Sequence, residues 1–198
     1  MTPEFPPTPE HPNEIEILLK GLASLIEGRT AYYVSSPLTT GQVAYEWHLR
    51  NGAVRSSAGD AEFRSMVIEP NRARAGEYVR RLRHSTSAAV IDPTAMDDLP
   101  GWAQSDYRSF WGKVIDRYAQ TVVFRDGWQY SSGCAYEFLV ASQAGARVLR
   151  EDLTSLTVEE GLALLRTALE ECEARGDTPT FLNQVADALE EQATVVSE

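Results

Sequence analysis

Residues 121 to 140 hold the groups best suited to chemistry. Thr121 to Phe124 is an apolar, β-branched run that reads as a buried strand. Asp126-Gly127 breaks it. Ser131, Ser132 and Gly133 then open a run with helical spacing that continues through Ala144, and Glu137 falls about one turn inside. A strand, a polar turn and a helix start place free N–H groups at the end of the sheet, where they suit an anionic or polar ligand. A carboxylate in the first turns is favoured in its ionised form by the helix dipole. Glu137 can therefore be held beside a bound sugar.

The elements that must position these groups follow from periodicity. Asn13 with Glu16 is a capping-box pattern, and Ile15, Leu18, Leu19, Leu22 and Leu25 give a helical stripe that ends at Gly28. Thr30 to Ser36 is a strand running into Pro37. Val43 to Leu49 is helical, and Asn51 to Asp60 is a small, polar loop. Asn71 to Arg83, after Pro70, is a helix carrying five arginines. Ala88 to Ile91 is a second strand, stopped by Asp92-Pro93, and residues 94 to 103 form a loop. Ser105 to Ala119 is a helix with Phe110, Val114 and Tyr118 on one stripe. Arg147 to Leu149 is a fourth strand. Thr157 with Glu160 caps a helix to about Arg175, and Thr180 to Glu191 is the last. Strands alternating with helices predict an α/β fold with a parallel sheet and right-handed crossovers. The ligand site then lies at the carboxyl ends of the strands. Those ends carry Ser35, Ser36, Asp92, Asp126, Trp128 and Ser131 to Gly133. The division is a Pro-rich arm over residues 1–12, an α/β domain over 13–150 and a helical extension over 151–198.

Composition bounds the function. The chain has 198 residues, 43% apolar and 24% charged, with a formal net charge of −11. That balance argues against an extended nucleic-acid surface, because phosphate binding is neutralisation by Lys and Arg. No apolar run approaches the ~18 residues of a membrane span. Met1 to Pro12 has five prolines, no Lys or Arg and no apolar stretch, so no signal peptide is expected. Cys134 and Cys172 are far apart in helical contexts. This predicts free thiols and a cytoplasmic protein. His11, His48 and His84 are scattered, and no spacing suggests a metal site; no cofactor is expected.

The pattern Gly127, Trp128, Ser131, Gly133, Glu137 resembles that of the nucleoside 2-deoxyribosyltransferase-like superfamily, which includes the 2'-deoxynucleoside 5'-phosphate N-hydrolases. The strand Tyr33 to Pro37, the Arg-rich helix from Asn71 and the segment Val90 to Thr94 are similar in order and spacing, so the resemblance covers about residues 30 to 150. It implies a Rossmann-like or flavodoxin-like sheet of about four to five strands flanked by helices, with extra helices at both ends. It implies Glu137 as nucleophile towards the anomeric carbon, Tyr33 in contact with it, and Ser131 at the 5' end of the sugar, where serine suits a 5'-phosphate. Ser35, Ser36, Ser132 and Gly133 are ligand-binding candidates. It also implies an assembly of two or more copies and a nucleotide or nucleoside ligand. The family's acid before the third strand is missing: the matching window, Trp111 to Lys113, has none. Asp106 is the nearest substitute, with Asp92 and Asp126 as fallbacks. Among the tryptophans, Trp128 is the first candidate to stack on a nucleobase, ahead of Trp102 and Trp111. Two other readings fit: a nucleotide-sensing module with incomplete chemistry, and a structural interaction protein.

Overall fold

The computed structural model describes residues 5, 8–26, 28–52 and 57–195. Residues 1–4, 6 and 7 of the Pro-rich arm and residues 53–56 of the expected polar loop lie outside the described residues. Four strands, β1 (Ala31–Ser35), β2 (Ala89–Ile91), β3 (Ala119–Phe124) and β4 (Arg147–Arg150), form a sheet of order β2-β1-β3-β4 in which every pair is parallel. This is the flavodoxin-like, doubly wound arrangement.

Strand side chains alternate between faces, so neighbouring residues feed different cores. Val34 and Val123 join Leu149 against Tyr78, Val79 and Leu82 of α4 (Glu69–Ser85). Tyr33, Val122 and Phe124 face the larger core. That core is built with α1 (Pro12–Ile26), α5 (Gln104–Tyr118) and α6 (Ser132–Gln143), and is closed by α7 (Val158–Glu173) and α8 (Thr180–Val195). α4 therefore covers one face, and α5 with α6 covers the other. The connections out of β1 and into β3 pass on opposite faces, which leaves a crevice at the carboxyl ends of these two strands.

Helices α7 and α8 share the same apolar core as the sheet: Leu165, Leu169, Leu182, Val185 and Leu189 are buried with Phe138 and Leu139 of α6. A Cβ at Gly161 would stand 2.1 Å from the Phe138 ring, so only glycine lets α7 come this close.

Several local expectations change. α1 starts at Pro12, a favoured first helical position. Glu16 caps nothing: it pairs with Lys113 and Arg117 of α5 at 3.0 and 3.2 Å. Leu25 is 73% exposed, and Ile26 takes its place in the core. α2 (Gln42–Asn51) extends the expected Val43–Leu49 helix. The expected loop through Asp60 gives way at Ser57 to α3 (Ser57–Phe63), which runs through a π-helical segment (Arg64–Ile68) directly into α4. Pro70 has no N–H and disfavours a helix before it. The wider π turn absorbs it: Glu69 N–H donates to Arg64 O, five residues back. No helix among the described residues is long and apolar enough to cross a membrane. Cys134 and Cys172 are both free and buried.

Candidate active site at the strand ends

A cavity of about 210 Å³ opens at the carboxyl end of β1, between the start of α6 and α5. Glu137 lies against it. Tyr33 and Ser35 sit two apart on β1, so both point to the same face. Tyr33 Oη donates to Glu137 Oε1 at 2.7 Å, and Ser35 Oγ donates to Oε2 at 2.6 Å. Both carboxyl oxygens are thus held from behind, and the group is fixed in orientation. Burial raises the Glu137 pKa to about 7, although the hydroxyls of Ser35 and Tyr33 pull the other way. The ionised form expected from the helix start is therefore opposed by desolvation, and the group is poised between its two states at neutral pH. Burial, with the Glu137 charge beside it, holds the Tyr33 phenol well above its usual range, so Tyr33 stays a donor. Cys134 also lines the cavity, but burial pushes its thiol up to about 12, which keeps it protonated and a poor nucleophile.

Ser131 caps α6, its Oγ accepting from Cys134 N–H at 3.3 Å, and it shares a 2.7 Å hydrogen bond with Thr40. Ser36, Ser131, Ser132 and Gly133 all line the cavity. Ser36 Oγ is buried without a partner there. Ser132 Oγ accepts from Arg108 Nη2 at 3.1 Å.

Other expected residues are elsewhere. Asp106 is buried and does not line the cavity. Its carboxylate accepts from His11 N at 2.8 Å, His11 Nδ1 at 3.1 Å and Ala103 N at 2.9 Å. It locks the arm onto the start of α5 and is spent as an acid. Trp128 is 4% exposed and stacks on Phe138 with centroids 4.7 Å apart, so it is a core anchor and cannot meet a base. Asp126 borders a separate polar cavity of about 180 Å³ beside Arg125 and Glu151. Asp92 does not line the Glu137 cavity but a separate one beside Ile91 and Met96, and it accepts from Thr94 N and Oγ1 at 3.0 and 2.7 Å. It shapes the turn that brings Thr94 to the cavity.

The aromatic side chains at the cavity are Trp111 and Tyr107, and the second carboxylate at its rim is Asp98. Arg72 and Arg108 supply positive charge. Arg108 and Trp111 are three apart on α5, a spacing that puts them on one helix face and that could have flagged them together. Asp98 sits in a stretch without periodicity and left no signal. Comparison with protein-family models, with curated proteins and with solved structures finds no match to this chain.

Proposed function

We propose that the cavity takes a nucleotide or nucleoside and that Glu137 attacks its anomeric carbon, cleaving the N-glycosidic bond. The carrying observation is the pair of hydrogen bonds, 2.7 and 2.6 Å, that fix both oxygens of one carboxylate beside the cavity. Such a group serves a retaining displacement, in which a carboxylate traps an oxocarbenium-like centre as a covalent glycosyl-enzyme. The bond from Glu137 to the anomeric carbon forms as the bond to the base nitrogen breaks, and the electron pair leaves with the base. Water or a second base then releases the sugar. The departing base needs a proton, and with Asp106 sequestered, Asp98 is the candidate donor. Trp111 and Tyr107 offer faces for the base.

The test is to incubate the full chain and Glu137→Ala with a panel of nucleosides and nucleoside 5'-monophosphates and to follow free base. Base release by the wild type, lost in Glu137→Ala, is expected, together with a covalent pentosyl adduct on Glu137 by mass spectrometry. No release from any member of the panel sinks the enzymatic reading. A second reading, a nucleotide-binding module without turnover, is favoured by the engagement of Asp106 with His11 and Ala103. A ligand that raises the melting temperature and is recovered intact supports it.

A further inference from the structure

A larger cavity, about 980 Å³, lies along the free edge of the sheet, between β2 and α1. Its size is at the upper end of the range for pockets that take small molecules, ~300–1,000 Å³. It runs the length of the edge strand. Arg29, Arg83 and Ala88 line it at the amino end of β2, and Asp92 and Met96 line it at the carboxyl end. Between them the walls are apolar, with Leu18, Leu22, Val90, Ile91 and Phe110. Ile17, Gly21 and Leu25 recur every four residues and share one face of α1. Ile17 is 68% and Leu25 73% exposed there. Gly21 has open space where a Cβ would stand, which leaves a notch in that face. Contiguous exposed apolar surface of this kind marks a binding site.

The two ends differ in charge. Arg29 donates to Ile26 O and Leu25 O at 3.1 and 2.8 Å, and Arg83 Nη2 donates to Val90 O at 3.1 Å. These bonds use only part of each guanidinium, and neither arginine forms an ion pair among the described residues. The opposite end carries the Asp92 carboxylate. An added peptide strand is disfavoured at this edge. Ala89 N–H donates to Thr30 O of the sheet, so Val90 turns its backbone outward, and Arg83 already occupies the Val90 carbonyl. We infer that the cavity binds a free long-chain carboxylate, with its head at Arg29 and Arg83 and its chain along β2 towards Met96 and Trp111. A guanidinium fork matches a carboxylate, and Asp92 repels the head from the other end. Met96 and Trp111 also line the Glu137 cavity, so the end of the chain abuts a wall of that site. The inference stands apart from the glycosidic reading and does not depend on turnover.

The experiment is calorimetric titration of the full chain with laurate below its micelle concentration, with dodecanol and acetate as controls. The wild type should bind laurate saturably and about ten-fold or more tighter than either control, the scale of one or two charge-assisted hydrogen bonds. The Arg29→Gln, Arg83→Gln double variant should lose that advantage over dodecanol. Gly21→Leu fills the notch without a clash and should weaken laurate and dodecanol alike. No saturable laurate binding overturns the inference. So does a laurate affinity that survives both the double variant and Gly21→Leu. Dodecanol binding as tightly as laurate overturns the assignment of the head, and acetate binding as tightly overturns that of the chain. A wild type that sediments as a dimer, becomes monomeric on Gly21→Leu and takes up no laurate assigns the cavity to a second copy and overturns the inference. If the double variant does not fold, the two single arginine variants and Gly21→Leu carry the test, and an unchanged laurate affinity in all three overturns it.

Discussion

Two carboxylates near helix starts, Asp106 on α5 and Glu137 on α6, meet opposite fates. Burial works to raise the pKa of both. At Asp106 the backbone N–H groups of Ala103 and His11, with the His11 ring, outweigh burial and hold the carboxyl below its usual value. At Glu137 the donors are two neutral hydroxyls, and burial wins, leaving the pKa at about 7. The partners therefore decide whether a buried acid becomes a lock or a reagent. Fixed backbone dipoles and a titrating imidazole, whose pKa Asp106 raises in return, make a permanent anion. Hydroxyls that orient a carboxylate without fully stabilising its charge leave it able to change state.

The contrast can be broken by substitution. Glu137→Ala should lower base release on the order of 10³-fold or more, the scale of losing a nucleophile, with little change in folding. Asp106→Ala should do the reverse. It strips three contacts from one buried group and should cost about 3 kcal/mol of stability in urea denaturation, while base release per folded molecule stays within a factor of about three. If Asp106→Ala instead abolishes turnover in a folded chain, the assignment of locks and reagents is wrong.

Stability against pH sharpens the same point. The folded pKa of Glu137 lies above its unfolded value of 4.5, so between those values the native state holds more protons than the unfolded one. Stability should fall as pH rises from about 4.5 to about 7, by at most on the order of 3 kcal/mol. Glu137→Gln should flatten that limb in denaturation curves measured from pH 4 to 8. The raised pKa of His11 acts in the same direction at the upper end, so His11→Gln in the Glu137→Gln background separates the two. Asp106, with a lowered pKa, supports the fold above its unfolded value of 3.8 and withdraws that support as pH falls through its folded value. The smallest effect is expected from Tyr33→Phe. Losing one donor to the carboxylate should move the rising limb of base release above pH 7 and slow the reaction about ten-fold.

The sheet, its parallel pairing and most helices were legible because β-branched strands and helical stripes obey short periods. The contact of Tyr33 with Glu137 was legible only through the resemblance, and Ser35, expected at the ligand, does not line the cavity and holds Glu137 instead. Nothing local says that residues 104 positions apart share a 2.7 Å hydrogen bond. Trp128 was misread because a tryptophan after a turn looks the same in sequence whether it faces a ligand or Phe138. Asp106 was misread because helix-start acids are both caps and catalysts, and the deciding partner, His11, lies far upstream in the Pro-rich arm. The α3-to-α4 continuity was hidden by Pro70, whose disruptive effect the π segment cancels.

Gly161 has a consequence for how this chain tolerates change. Because α7 rests directly on the Phe138 ring, and Phe138 is the residue after Glu137 on α6, the last helices work as a gauge block that sets the height of α6 against the sheet. Adding one methyl at position 161 would press on the ring next to the carboxylate. A change in the C-terminal pair should therefore be felt at the cavity through α6, because those helices share its core.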